Sequence, residues 1–136
     1  MSFKALVVTA LLAIQPAAPL PALRIVSLEA LAANYREYDG KEIVVAGIVI
    51  VGPESTFMAM PITSPPSEQE AMWVQMSSAL ARKPGRLETE YLRQQKAGGL
   101  ITAILRGRFE GRDRRAFGHL GCCRFKLEVT KVLSVG

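Results

Sequence analysis

The chain has 136 residues, 49% of them hydrophobic and 21% charged, with a formal net charge of +5. That length suits one domain, and that composition excludes wholesale disorder. The positive balance permits anionic partners without requiring one, and an aromatic content of 7% leaves little material for base-stacking platforms.

The chain opens "MSFKALVVTALLAIQPAAPLPA". A lone cation, Lys4, precedes an uncharged run from Ala5 to Ile14, then prolines and small residues up to Ala22. This is the pattern of a secretory signal peptide over residues 1–22, with cleavage after Ala18 or Ala22. The apolar run is shorter than the roughly 20 residues a spanning helix requires. An uncleaved N-terminal anchor or a buried helix is the alternative. Removing residues 1–22 takes away one positive side chain and predicts a mature domain, 23–136, in the periplasm or outside the cell, without a transmembrane span. Such a compartment permits disulfides.

In the mature chain, "SLEALAANYREYDGK" predicts a short helix. Ser27 is its cap, Glu29 stands in its first turn, Leu28, Leu31 and Tyr35 form one stripe, and Asp39-Gly40 turns the chain after it. Lys41 to Gly52 is rich in Ile and Val and predicts a strand, with Gly47 marking a bulge or bend. "STFMAMPIT" from Ser55 predicts a second strand that Pro61 limits, and Ser64 begins a loop. "AMWVQM" (71–76) predicts a third strand with Met72, Val74 and Met76 facing one way. Lys83 to Gly99 reads as a helix, started at Pro84 and stopped at Gly98-Gly99, with Leu87 and Tyr91 on its inner face. Leu100 to Phe109 predicts a fourth strand, Glu110 to Gly121 a turn-forming connection, and Cys122 to Val135 a fifth strand with Cys123, Phe125, Leu127 and Val129 in one register.

The expected architecture is therefore mainly β with short helices. It is a five-stranded, OB-fold-like Greek-key barrel, with one helix between strands 3 and 4 and a short N-terminal helix. Two stretches also resemble small secreted or periplasmic bacterial OB-fold proteins of largely unknown function. They are "SLEALAANYREYDGKEIVVAGIVI" and "LRGRFEGRDRRAFGHLGCCRFKLEVTKV". The resemblance implies the fold and the compartment, and it implies neither an enzyme activity nor a settled ligand. OB-folds as a class bind oligonucleotides, oligosaccharides or proteins, so by analogy it suggests a binding module.

"FGHLGCC" holds the only histidine, His119, and both cysteines, Cys122 and Cys123. Adjacent cysteines in a strand point to opposite faces, which does not suit a closed zinc site, so no metal is assigned. A ring between neighbours is strained, because alpha carbons about 3.8 Å apart fall short of the usual disulfide span. The expectation is that Cys123 packs as a small hydrophobe and Cys122 faces outward or lies under a loop. A metal or thiol-redox site using His119, Cys122 and Cys123, or a disulfide-linked dimer, is the alternative.

The densest positive segment comprises Arg106, Arg108, Arg112, Arg114 and Arg115, followed by Phe117 and His119. It surrounds the connection between strands 4 and 5, a place where OB-folds commonly bind ligands. Arginine supplies paired donors for phosphate or carboxylate, and an aromatic beside it can stack. The same arginines could equally keep an exposed hairpin solvated. No phosphate loop, nucleophile elbow or paired catalytic set is present, so the expected function is non-enzymatic and needs no cofactor. The expected partner is an anionic ligand, nucleic acid included, or an envelope protein held by a scaffold domain.

Overall fold

The computed structural model describes residues 24–52, 55–61, 71–118 and 121–136. The expected signal peptide (1–22), the 64–70 loop and His119 lie outside the described residues.

Ser27 caps α1 (Leu28–Ala33), its hydroxyl accepting from the Ala30 N–H at 3.1 Å. Leu31 is fully buried, and Leu28 and Tyr35 pack against the core, as the stripe predicts. The single predicted helix is interrupted at Asn34 (φ −127°, ψ 36°) and resumes as α2 (Tyr35–Tyr38). Gly40, at φ 79°, then reverses the chain, and its N–H donates to the Phe109 carbonyl at 2.7 Å.

Five strands follow: β1 (Glu42–Val51), β2 (Thr56–Ala59), β3 (Ala71–Met76), β4 (Gly99–Gly111) and β5 (Phe125–Val135). β2 stops before Pro61, which cannot donate to a ladder. The sheet closes on itself in the order β1-β2-β3-β5-β4, with β4 returning to β1. β3 and β5 run parallel, and every other pair is antiparallel. Parallel neighbours need a long crossover, which here contains two helices and β4.

The bend does not fall where the sequence suggests. β1 pairs with β4 in unbroken register across Gly47. Gly47 instead permits close packing, since a β-carbon there would meet Met58 Sδ at 2.9 Å and Leu28 Cδ1 at 3.2 Å. The register shifts lie between β4 and β5, at Ile104/Leu105 and Arg106/Gly107. Such irregularities let a twisted sheet curl enough to close.

Between β3 and β4 the predicted helix is α4 (Arg86–Ala97), ended by Gly98 and Gly99 at φ 77° and 94°. It is preceded by an unpredicted short helix, α3 (Ser78–Arg82), whose cap is Ser77. Leu87 packs on the core and Tyr91 is buried, so the two predicted inner positions both face inward.

Alternation fills the interior. Cys123, Phe125, Leu127 and Val129 are all buried, as are Met72 and Val74 from β3. Phe109 and Phe125 meet at a centroid distance of 5.8 Å, and Tyr35 closes over Phe125 at 5.6 Å. Each such buried side chain contributes about 1.5–3 kcal/mol. Among the described residues no helix is long and apolar enough to cross a membrane.

Candidate functional site

The arginines fall into two groups. Arg106 and Arg108 belong to β4 and point out of the ring, so they are not part of the connecting loop. Arg106 Nε donates to Glu42 Oε1 at 2.9 Å, and the same oxygen accepts from the Thr130 hydroxyl at 2.8 Å. The Thr130 hydrogen bond, and then that of Arg106, holds the Glu42 carboxyl below its ordinary value. Arg108 lies 4.0 Å from Glu110.

Beyond β4, Arg112 is a brace. Its guanidinium donates to Asp39 at 3.2 Å and to its neighbour's carbonyl, Gly111 O, at 2.8 Å. Glu110 stands 3.7 Å away. Asp39 also accepts from the Gly111 N–H at 3.0 Å, fastening the start of the loop to the turn after α2. Asp113 is paired with Arg36 at 2.8 Å. Much of the positive charge is therefore already met by carboxylates. Arg114 and Arg115 stand exposed at the tip, and no ion pair involves Arg114 among the described residues.

Phe117 returns the loop to the sheet through a bridge with Cys123. The Arg112 guanidinium lies 5.2 Å from its ring centre and the Lys126 ammonium 5.9 Å. Contacts of this kind contribute about 0.5–1 kcal/mol at exposed sites. Arg124 turns inward, stacking at 5.3 Å over Tyr35 and 5.1 Å over Phe125, and its Nε donates to the Arg112 carbonyl at 3.1 Å. It braces the base of the loop.

Trp73, the only tryptophan in the sequence, stands beside this loop, a position that sequence reasoning did not assign to it. It pairs with Phe57 on one side and Lys126 on the other, placing an aromatic-cationic row on the outer face of the sheet. The signal was present: if Met72, Val74 and Met76 face inward, Trp73 must face outward. Gly118 is pressed against this tryptophan. It has φ 84°, and a β-carbon there would lie 3.0 Å from Trp73 Cδ2 and 2.8 Å from Cys122 Sγ. Glycine is what lets the loop settle onto the indole.

The two cysteines face as predicted, with Cys123 buried and Cys122 exposed. They are nevertheless bonded to each other, with an S–S distance of 2.01 Å and alpha carbons 3.7 Å apart. The argument from opposite strand faces does not apply, because β5 begins only at Phe125 and both cysteines precede it. With both sulfurs used within one chain, neither is a free thiol for a bridge between copies. A disulfide sulfur is not a thiolate, so metal ligation by this pair would first require reduction. His119, the third member of that cluster, lies outside the described residues.

Comparison with protein-family models, with curated proteins and with solved structures finds no match.

Proposed function

We propose that this chain is a secreted or periplasmic, OB-fold-like binding module that takes an anionic ligand at the loop between β4 and β5. The five-stranded ring in the order β1-β2-β3-β5-β4 supports the fold reading, because OB-folds are small five-stranded Greek-key barrels. The kinship to small bacterial OB-fold proteins and the cleaved leader belong to the same proposal.

The observation that carries the ligand reading is the grouping of Phe117 with Arg112 and Lys126, beside the exposed Arg114. An anionic group with a flat or apolar portion would find cations and an aromatic face together there. The braced arginines narrow the proposal. Arg106, Arg108 and Arg112 are already matched by carboxylates, so Arg114 and Lys126 are the cations best placed to meet a ligand.

The test is titration with a single-stranded oligonucleotide, an acidic glycan and anionic vesicles at several salt concentrations. Binding should weaken steeply with salt and fall further in Arg114→Gln/Lys126→Gln. Absence of salt-sensitive binding to all three probes would remove the reading. An envelope scaffold is the second reading, favoured by the outward Phe57–Trp73 pair. A partner captured through that pair would stay bound at high salt.

A further inference from the structure

A second concavity lies between the end of β1, the start of β2, β3 and α4, with a volume of about 630 Å³. That is within the range of small-ligand sites. We propose that it binds a small acidic saccharide, one or two sugar rings carrying a carboxylate.

The wall chemistry supports this class of ligand. Trp73 lines the cleft and offers a flat apolar surface of the kind on which the C–H face of a sugar ring packs. The amides of Gln75 and Gln95 both donate and accept, as a polyhydroxyl ligand requires. Gln95 Nε2 donates to Thr56 Oγ1 at 2.9 Å, which fixes the amide and leaves its oxygen and the threonine proton available. Among the described residues no acidic side chain lines the cleft, and its one cation, Lys96, has no ion pair. Among the described lining residues, one positive charge beside neutral donors and acceptors matches one carboxylate on a hydroxyl-rich molecule.

An independent observation comes from Tyr91, which also lines the cleft and is 2% exposed. Its hydroxyl is buried without any hydrogen-bond partner among the described residues. Burial pushes its pKa up to about 12, so it remains a proton donor at any physiological pH. An unpaired buried hydroxyl is costly, and a ligand oxygen is one group that would relieve it.

The test uses the full chain with glucuronic acid, glucose, acetate and inorganic phosphate as probes, followed by calorimetry and by Trp73 emission. Saturable binding of glucuronic acid is expected, with glucose at least about tenfold weaker and neither acetate nor phosphate saturating. Lys96→Gln should reduce glucuronic acid to the level of glucose, and Gln75→Ala should weaken both sugars. Both positions are exposed, so the fold should survive. Tyr91→Phe should weaken sugar binding without lowering the unfolding transition. The idea is overturned if neither sugar saturates, if glucose equals glucuronic acid, if phosphate binds as well, or if binding ignores these variants. Arg114→Gln should leave sugar binding unchanged, which separates this site from polyanion binding at the loop.

Discussion

Gly107 of β4 lies directly against the backbone of Glu128 in β5. A β-carbon on Gly107 would come within 2.9 Å of the Glu128 carbonyl carbon and 3.0 Å of the Val129 alpha carbon. The obstacle is main chain, which cannot rotate away. The β4–β5 register shifts at this point, so the two strands approach here in order to curl. Gly107→Ala should therefore lose about 1–3 kcal/mol or more, read as a lower denaturant midpoint. Gly40→Ala, with open space around its β-carbon, should incur only the strain of its positive φ.

Acid sensitivity should trace in part to Glu42. Its pKa in the folded chain is lowered from the ordinary 4.5 by Thr130 and Arg106. A carboxyl with a depressed folded pKa stabilises fully above its unfolded value. That contribution disappears as pH falls through the folded value. Glu90 behaves alike on α4, lowered to about 2 by Arg93 and then Gln94. Glu42→Gln should flatten the acid limb of stability below pH 4.5. Both groups are solvent-accessible, so the Glu42 contribution should be about 0.5–1 kcal/mol at most. An unchanged acid limb in Glu42→Gln would contradict this.

The Cys122–Cys123 bond should leave no reactive thiol in denatured, unreduced protein and two after reduction. Gly118 brings the loop against both Cys122 Sγ and the Trp73 ring. A disulfide quenches a nearby indole, so reduction should raise Trp73 emission without lowering the molecular mass, as it would if the bond joined two copies. Thiols found before reduction would refute the bond.

Tyr91→Phe should leave stability unchanged or raise it by about 1 kcal/mol in the absence of ligand, because the hydroxyl it removes has no partner. Tyr91→Ala should lose about 3–5 kcal/mol, through the cavity left beneath α4. Thermal melts of the two variants would separate the orphan hydroxyl from the packing of the ring.

Strand and helix placement was legible because the local signals are strong. The Val/Ile run of β1, the alternation from Cys123 to Val129 and the glycine stop after α4 all correspond to structure. What the sequence hid depends on contacts between distant residues. Gly47 and Gly107 look alike in sequence, yet only Gly107 sits at a register shift, and that is decided by which strand lies across from it. The pairing of the arginine cluster is hidden in the sequence because Glu42 and Asp39 reach Arg106 and Arg112 only on folding, while Asp113, inside the cluster, is taken by the distant Arg36. The cleft beside α4 was invisible for the same reason, since its polar groups come from β1–β2, β3 and the helix.

Among the described residues β5 is the only strand that touches both β3 and β4, and it is the last of the five to be made. A nascent chain that has not yet delivered Phe125 onward would present two bare strand margins at once. Those margins invite pairing with other unfinished chains. Closure of the ring must therefore wait for β5, which supplies the partner that both margins lack.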